Sequence, residues 1–195
     1  MQNKKIGELC VIGLTGGIAT GKSFACDIFK SLGCAIISCD TIAKNVLENS
    51  EIIKTEFSDF FIDGKLERAI LREQIFNNEV LRDSLNKVAQ PLIFKELQRE
   101  LSKIKKGVVV VEIPLLFDNK YASFENLLDK TVCTICDREL QLERLIKRDN
   151  ITKSAAIKTI AAQMCLKRKA SLCDYVLNTQ LSGTELQKQI QKIIR

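Results

Sequence analysis

The segment Leu9–Ser23, LCVIGLTGGIATGKS, joins an apolar run to a glycine-rich turn. Its second half, Gly16–Ser23, matches the pattern G-x-x-x-x-G-K-[ST]. Because glycine lets the backbone approach a ligand closely, the N–H groups of such a loop converge on phosphate oxygens at the start of a helix. In this arrangement Lys22 reaches the outer phosphates and the Ser23 hydroxyl is a ligand of Mg²⁺. The segment therefore predicts a buried strand, a phosphate-binding loop and a following helix.

Further apolar runs alternate with helical stretches, as in α/β proteins. The predicted strands of a parallel sheet are Leu9–Leu14, Cys34–Ser38, Val108–Ile113, Thr131–Cys136 and Asp174–Leu177. The predicted helices outside the central part of the chain are Ser23–Leu32, Arg138–Arg148, Thr152–Met164 and Thr184–Ile194. The stretch from Ile52 to Lys106 has helical spacing and no strand-like run, which indicates a helical insertion.

We expect a single domain, residues 1–195. It comprises a core (about 1–50, 107–137 and 170–195), a helical substrate-binding insertion (about 51–106) and a lid (about 138–169).

Composition excludes several classes of protein. The 195 residues are 46% hydrophobic and 28% charged, which allows a buried core. No apolar run approaches the roughly 20 residues of a membrane helix, and the first residues lack the apolar stretch of a secretory signal. We therefore expect a cytoplasmic protein without a membrane partner.

The basic residues are unevenly distributed. The formal net charge is +6, and the stretch from Arg144 to Lys169 contains eight basic residues and one acidic residue, so the rest of the chain is nearly neutral. A local basic segment favours a small polyanion such as a nucleotide over a nucleic acid. A solvated helix face is the alternative explanation.

The absence of histidine excludes Ser-His-Asp and Cys-His catalysis and most catalytic zinc sites. The chain has eight cysteines, and Cys133 and Cys136 form a C-x-x-C pair inside a strand-like run. A zinc site would need two further ligands, which the sequence does not offer. A reactive redox pair would lie at a helix N-terminus, not inside a strand. Core packing therefore explains this pair better than either chemistry. A GTPase N-K-x-D motif is absent as well.

Two acidic residues follow or end predicted strands. Asp40 follows Cys34–Ser38, and ligands of α/β folds bind at the carboxyl ends of strands. This favours Asp40 as the carboxylate that orients or deprotonates an acceptor hydroxyl, with a helix N-cap as the alternative. Glu112 ends the valine run and is a candidate for holding Mg²⁺ through water, or alternatively an ion-pair partner of a nearby base.

Arg144 and Arg148 lie four residues apart, on one face of a predicted helix. Both could stabilise charge on one phosphate cluster during phosphoryl transfer. Alternatively they form a solvent-exposed face and pair with Glu143 or Asp149.

Seven short segments occur in the order and spacing of dephospho-coenzyme A kinases, which the chain resembles from about Leu14 to Asn178. They are LTGGIATGKS, CDTIAK, LREQIF, EIPLLFD, QLERLIKRD, IAAQM and DYVLN. The segments EIPLLF and IAAQM are more specific to that family than the glycine-rich motif. The resemblance implies an α/β, three-layer P-loop kinase fold with a parallel five-stranded sheet, a helical substrate-binding insertion and a helical lid. It also implies transfer of the γ-phosphoryl group of ATP to the ribose 3′-hydroxyl of dephospho-coenzyme A, with ATP and Mg²⁺ as cofactors.

The resemblance also implies roles for individual residues. The catalytic residues are Asp40, Lys22, Arg144 and Arg148. The ATP-binding residues are Gly17, Ile18, Ala19, Thr20, Gly21, Lys22, Ser23 and Phe24, with Asn178 near the adenine. The residues that contact the acceptor are Asp40, Arg72 and Leu115, and those that hold the metal are Ser23 and Glu112.

The chain departs from the family pattern at five positions. They are Ser38 (often Asp), Lys44 (usually Arg), Gln90 (frequently His), Glu112 (commonly Asp) and Cys165 (commonly Pro). We expect activity to survive, because these changes leave the glycine-rich loop, Asp40 and the lid arginines in place.

Three alternative functions remain open: a P-loop kinase for another nucleotide, nucleoside or small alcohol, a nucleotide-sensing module, and an RNA-binding protein. We expect a monomer or a weak homo-oligomer that binds dephospho-coenzyme A and no nucleic acid.

Overall fold

The computed structural model describes residues 9–117 and 124–195. The strands are β1 (Leu9–Gly16), β2 (Ala35–Ser38), β3 (Phe61–Ile62), β4 (Lys65–Leu66), β5 (Gly107–Glu112), β6 (Lys130–Ile135) and β7 (Tyr175–Asn178). The helices are α1 (Lys22–Ser31), α2 (Cys39–Asn49), α3 (Glu51–Glu56), α4 (Arg68–Asn77), α5 (Glu79–Ser102), α6 (Arg138–Asp149), α7 (Lys153–Ala161), α8 (Leu166–Ser171) and α9 (Gly183–Ile194). Short 3₁₀ turns cover Ser58–Phe60 and Phe124–Leu127.

The described residues separate into two compact units. The first unit contains the described parts of Met1–Ser38, Ile104–Asp118 and Glu125–Arg195. The second contains Cys39–Lys103 and Phe124.

The first unit is built on a parallel sheet with strand order β2-β5-β1-β6-β7. All four pairs of neighbours are parallel, and β1 lies in the centre, with Leu14 opposite Glu112 of β5 and Gly16 opposite Thr134 of β6. The predicted five-stranded parallel sheet is therefore confirmed. Since the chain leaves β1 towards β2 on one side and continues later to β6 and β7 on the other, the carboxyl end of β1 faces the crevice where α/β sheets bind ligands.

One face of the sheet carries the main apolar core of this unit. Ile12 and Leu14 of β1 are fully buried there against α1 and α9. The residues of α1 and α9 in this cluster are Ala25, Cys26, Phe29, Leu186, Ile190 and Ile193. Alternate residues of the strands point to the opposite face, where α8 packs against β1 and β6. The sheet is thus covered on both faces, as its continuous apolar strands require.

The second unit is mostly helical, as the spacing of its residues predicts. Its buried residues include Ile42 of α2, Ile53 of α3, Leu71 of α4, and Leu85, Ala89, Ile93 and Leu97 of α5. An ion pair of 2.9 Å between Arg68 and Glu48 joins α4 to α2.

The prediction that this stretch contains no strand is wrong, because β3 and β4 form a short antiparallel hairpin. Its turn is Asp63-Gly64, and both residues have positive φ angles, 48° and 74°. An Asp-Gly pair suits a two-residue hairpin turn of this kind. The strands are only two residues long, so they leave no apolar run for sequence analysis to detect.

Two further details concern the helices. The predicted helix Thr152–Met164 ends at Ala161, and a separate helix, α8, follows it. Within residues 9–117 and 124–195, every helix is too short or too polar to span a bilayer.

Candidate functional site

The loop Gly16–Ser23, called the phosphate loop below, connects the end of β1 to the start of α1. Ala19 and Gly21 adopt left-handed backbone conformations, with φ angles of 57° and 86°. Gly21 is the N-cap of α1 and supplies no side-chain acceptor for the first N–H groups of the helix. These N–H groups, at the positive end of the helix, form a concave site for an anion.

Buried hydroxyl groups hold the phosphate loop against the sheet. The Thr20 hydroxyl donates to the Gly17 carbonyl at 2.8 Å and lies 2.8 Å from the Thr134 hydroxyl of β6. Because the Thr20 proton goes to Gly17, the Thr134 hydroxyl is the donor in this 2.8 Å contact, and the Thr15 carbonyl at 3.3 Å is a more distant acceptor for the same proton. Thr15, Thr20 and Thr134 are all fully buried. Because these groups are shielded from water, their hydrogen bonds fix the position of the loop relative to β1 and β6.

Lys22 and Ser23 begin α1 at the open side of the loop. The Lys22 ammonium donates to the Gly17 carbonyl at 3.0 Å, so its charge lies over the loop. Ser23 is exposed, and the neighbouring Phe24 ring is 43% exposed. The structure thus places a cation, an exposed hydroxyl side chain and an apolar surface around one concave group of amides.

A cavity of about 680 Å³ opens beside the phosphate loop. It is lined by Gly21, Phe24, Leu140, Arg144, Thr179, Gln180 and Leu181. The guanidinium of Arg144 donates to both the hydroxyl and the carbonyl of Thr179, at 3.0 and 3.2 Å. The Thr179 hydroxyl donates to the Thr20 carbonyl at 2.8 Å, so this one side chain links the phosphate loop to α6. A volume of this size, with apolar walls and one cation, suits a small organic ligand.

The two arginines of α6 have different partners. Arg144 is half-buried and bound to Thr179, whereas Arg148 is exposed and paired with the neighbouring Asp149 at 2.7 Å. The hydrogen bond from Arg148 to Asp149 raises the pKa of Arg148. The pairing of Arg148 with Asp149 matches the alternative considered for it above.

Asn178 ends β7 directly before the cavity. Its side-chain oxygen accepts the backbone N–H of Gln180 at 3.0 Å, which shapes the turn after the strand. The cavity itself is lined by the three residues that follow Asn178. Asn178 therefore lies at the edge of the cavity.

Ser23 and Glu112 are the residues that the sequence assigns to Mg²⁺. Glu112 ends β5, next to β1. Its carboxylate interacts electrostatically with the thiol of Cys26, which lies one turn after Ser23 on α1. Burial first, and then Glu112, raises the pKa of the Cys26 thiol to about 12. One hydroxyl and one carboxylate suit a magnesium ion that takes its remaining ligands from phosphate and water. Among the described residues, no group of three or more acidic or cysteine side chains could hold a metal without such help.

The remaining predicted site residues lie on exposed surfaces. Asp40 is in the first turn of α2, two residues after β2 ends, so it is inside the helix and not at its N-cap. Arg72 is an exposed residue of α4. Leu115 follows β5 and is 50% exposed, which leaves an apolar side chain available for a ligand. Asp40 and Arg72 belong to the second compact unit, and Leu115 to the first.

Sequence analysis missed three polar side chains that contact the phosphate loop, Thr179, Gln141 and Gln163, and one buried cation that contacts the turn after β5, Lys169. Gln163 accepts the Ile18 N–H at 2.7 Å, and Gln141 donates to the Ile18 carbonyl at 2.8 Å. Lys169 is fully buried and donates to the Pro114 carbonyl at 3.0 Å. The sequence contained one indication of these residues: Gln141 and Gln163 lie inside the segments QLERLIKRD and IAAQM, and Thr179 directly follows DYVLN.

The fold and the site together define a class of protein. A parallel sheet whose central strand runs into a phosphate loop, with helices on both faces, is the architecture of the P-loop kinases.

A family profile for dephospho-CoA kinase matches residues 10–185, and the chain belongs to this family. A dephospho-CoA kinase of Bacillus anthracis is 36% identical over 194 residues, covering 95% of this chain and 96% of the relative. A crystal structure of TT1252 from Thermus thermophilus superposes with a TM-score of 0.83 at 27% identity, covering 95% of this chain and 96% of the other. The structure of dephospho-CoA kinase from Campylobacter jejuni gives a TM-score of 0.67 at 30% identity, covering 95% and 98%.

Proposed function

We propose that this protein transfers the γ-phosphoryl group of ATP to the ribose 3′-hydroxyl of dephospho-coenzyme A, the last step of coenzyme A synthesis. The observation that carries the proposal is the phosphate loop and its adjoining cavity, in a chain that belongs to the dephospho-CoA kinase family. The loop supplies backbone donors for phosphates, and the cavity beside Gly21 and Phe24 has room for the nucleoside part of ATP.

Each part of the loop has a task in this reaction. The N–H groups at the start of α1 bind the inner phosphates, and Lys22 moves from the Gly17 carbonyl to the phosphate oxygens where negative charge increases. Ser23 and Glu112 would hold Mg²⁺, which when bound would neutralise charge on the phosphates. Arg144, at the wall of the cavity, places a second cation beside the nucleotide.

We assign the acceptor contacts to Asp40, Arg72 and Leu115. Asp40 accepts a hydrogen bond from the ribose 3′-hydroxyl, and Arg72 pairs with an anionic group of dephospho-coenzyme A. Leu115 offers apolar contact. As the hydroxyl oxygen bonds to the γ-phosphorus, the bond from that phosphorus to the bridging oxygen of ADP breaks. The hydroxyl proton passes to the Asp40 carboxylate, and ADP leaves with the electron pair of the broken bond.

The activity is tested with a panel of acceptors. Purified protein is incubated with ATP and Mg²⁺ and with dephospho-coenzyme A, its 3′-deoxy analogue, adenosine, pantetheine or shikimate, and each product is identified by mass. We expect one phosphoryl group to be added to dephospho-coenzyme A alone. Transfer to a different acceptor instead would indicate another P-loop kinase, and ATP binding without any turnover would indicate a nucleotide-sensing module.

Asp40→Asn tests the role of the carboxylate. We expect kcat to fall by about 10²- to 10⁴-fold, because the amide cannot accept the proton, while the Kd of ATP stays unchanged. Asp59→Asn is the matched control, since Asp59 is an exposed aspartate of the same unit. If Asp40→Asn retains full turnover, Asp40 has no part in the reaction.

A further inference from the structure

Helices α6–α8 reach the phosphate loop through two glutamine side chains, one on each side of Ile18. The Ile18 N–H donates to the side-chain oxygen of Gln163 at 2.7 Å. The side-chain nitrogen of Gln141 donates to the Ile18 carbonyl at 2.8 Å. Both polar groups of this residue are therefore bound to side chains that lie more than 120 positions further along the chain.

The two contacts differ in how firmly they are held. Gln141 is 3% exposed, and its amide nitrogen lies where a Cβ on Gly17 would come within 2.9 Å. Gln141 is thus a fixed support for the loop. Gln163 is only half-buried and lies in the connection between α7 and α8, so its side chain is able to turn away.

The contact with Gln163 occupies a donor of the phosphate loop. The N–H groups of such a loop are the donors for phosphate oxygens, and an amide oxygen is chemically a weaker acceptor of the same kind. Ile18 lies three residues before the N-cap of α1, so its N–H is further from the helix start than the donors for the inner phosphates. This position points to the outermost phosphate as the natural partner of the Ile18 N–H.

A second cavity gives the displaced side chain and the phosphate the space they need. It measures about 340 Å³ and is lined by Gly17, Gln141 and Gln163 together with the cationic Arg138 and Lys167. Positive charge in this cavity favours an anion over a neutral amide.

We propose that Gln163 is a gate on the phosphate loop. In the nucleotide-free protein its side-chain oxygen occupies the Ile18 N–H, and the outermost phosphate of ATP displaces it. The displacement frees the connection between α7 and α8, which ties the position of these helices to the presence of a triphosphate. The gate rests on the proposed function only in requiring that ATP binds at this loop.

Two substitutions change the competition in opposite directions. Gln163→Leu keeps the size of the side chain and removes the acceptor, so ATP no longer has a competitor and its Kd falls by about two- to tenfold, the range of one net hydrogen bond. Gln163→Glu supplies a charged acceptor that holds the N–H more strongly and repels phosphate, so the Kd rises by about tenfold or more. ADP lacks the outermost phosphate, and its Kd changes less than about twofold in Gln163→Leu by the same reasoning.

The Kd values are measured by calorimetry without an acceptor, and melting curves establish that each variant is folded. Gln98→Leu and Gln98→Glu, at an exposed site of α5, are the matched controls and leave both Kd values unchanged. Weaker or unchanged ATP binding in Gln163→Leu, or equal effects on ATP and ADP, overturns the gate. A wild type that binds no ATP overturns both the gate and the proposed function. If Gln163→Leu binds ATP more tightly but the wild type does not phosphorylate dephospho-coenzyme A, the proposed function alone is refuted.

Discussion

Single residues of the phosphate loop are constrained for different physical reasons. Gly21 has a φ angle of 86°, in the left-handed region that favours glycine, and a Cβ there would meet the Thr179 hydroxyl at 2.8 Å. Gly17 has no such backbone requirement, but a Cβ would come within 2.9 Å of Gln141 and 3.1 Å of Thr20. The need for glycine at position 17 therefore comes from the close packing of α6 against the loop.

Two glycine-to-alanine variants distinguish the effect of close packing from the effect of backbone strain. We expect Gly17→Ala to move Gln141 and Ile18, and so to raise the Kd of ATP by about tenfold or more, the loss of one charge-assisted hydrogen bond. Gly33→Ala is the contrasting variant, because its site is open and its φ angle is 85°. It should lower the free energy of unfolding by about 1 kcal/mol and leave ATP binding unchanged. Calorimetry and urea denaturation measure the two effects, and unchanged ATP binding in Gly17→Ala would contradict the packing explanation.

At the scale of elements, Thr179 connects the end of β7 to the phosphate loop and to α6. It is 3% exposed, donates to the Thr20 carbonyl and accepts from Arg144. Removal of its hydroxyl would leave a buried carbonyl and a guanidinium N–H without their partner. Such unsatisfied groups are more costly than the loss of the hydrogen bond alone.

We therefore expect Thr179→Val to lower the free energy of unfolding by about 1–3 kcal/mol and to raise the KM for ATP. Valine has nearly the same shape, so a cavity does not contribute. Thr55→Val is the control, because Thr55 is exposed on α3 and donates only within its own helix. Urea unfolding curves give the free energies of unfolding. Equal decreases in the two variants would show that the hydrogen bonds of the Thr179 hydroxyl contribute nothing to stability.

The capping box at the start of α9 should make the stability of the protein depend on pH. Ser182 and Glu185 form a reciprocal capping box, with the Ser182 hydroxyl donating to the Glu185 carboxylate. This hydrogen bond, and a second one from the backbone N–H of Ser182, lower the pKa of Glu185 from its ordinary 4.5.

Because the folded-state pKa is the lower one, the contribution of Glu185 to stability is complete above the unfolded pKa and is lost as the pH falls through the folded pKa. We expect Glu185→Gln to be less stable than the wild type at neutral pH and the difference to shrink below pH 4.5. Thermal melts across this range measure it. A difference that grows in acid would contradict the assigned direction.

At the scale of the whole molecule, folding separates the eight cysteines by accessibility. All eight carry reduced thiols, and they are distributed over both compact units. Five are buried, Cys10 and Cys173 are half-buried, and Cys165 alone is exposed. Backbone N–H groups of Arg168 and Lys167 lower the pKa of Cys165, whereas burial is the largest cause that raises the pKa of Cys26, Cys34 and Cys136.

We predict that a thiol reagent labels the native protein quickly at one position per chain and at all eight in denaturant. Since the pKa of Cys165 is lowered, its labelling rate should level off at a lower pH than that of an ordinary thiol. Cys165→Ser should remove the fast phase. Two or more fast thiols in the native wild type would contradict this distribution.

Cys133 and Cys136 illustrate how the whole fold decides the role of a local motif. Both residues of the C-x-x-C pair are buried, and Cys133 is a central residue of β6. A hydrogen bond with Cys173, in the connection between α8 and β7, lowers the pKa of Cys133 and is the largest influence on it. The burial of both residues suits the packing role that the sequence favours for this pair.

The local motifs of this protein follow from its sequence. A phosphate loop is a short continuous segment, so its glycines, Lys22 and Ser23 can be identified without knowledge of the remaining chain. The five parallel strands are also predictable, because strands buried on both faces must be apolar along their length. The β3–β4 hairpin was missed since its strands contain two residues each, and too few apolar positions repeat to give a pattern.

Only the tertiary structure decides which side chains surround the loop. Thr179 lies 159 positions from its partner Thr20, Gln163 lies 145 from Ile18, and Gln141 lies 123 from Ile18. No local preference of the backbone encodes a contact over such separations. It arises because β1, β6 and β7 align in parallel, so that their carboxyl ends, and the residues that follow them, meet at one edge of the sheet.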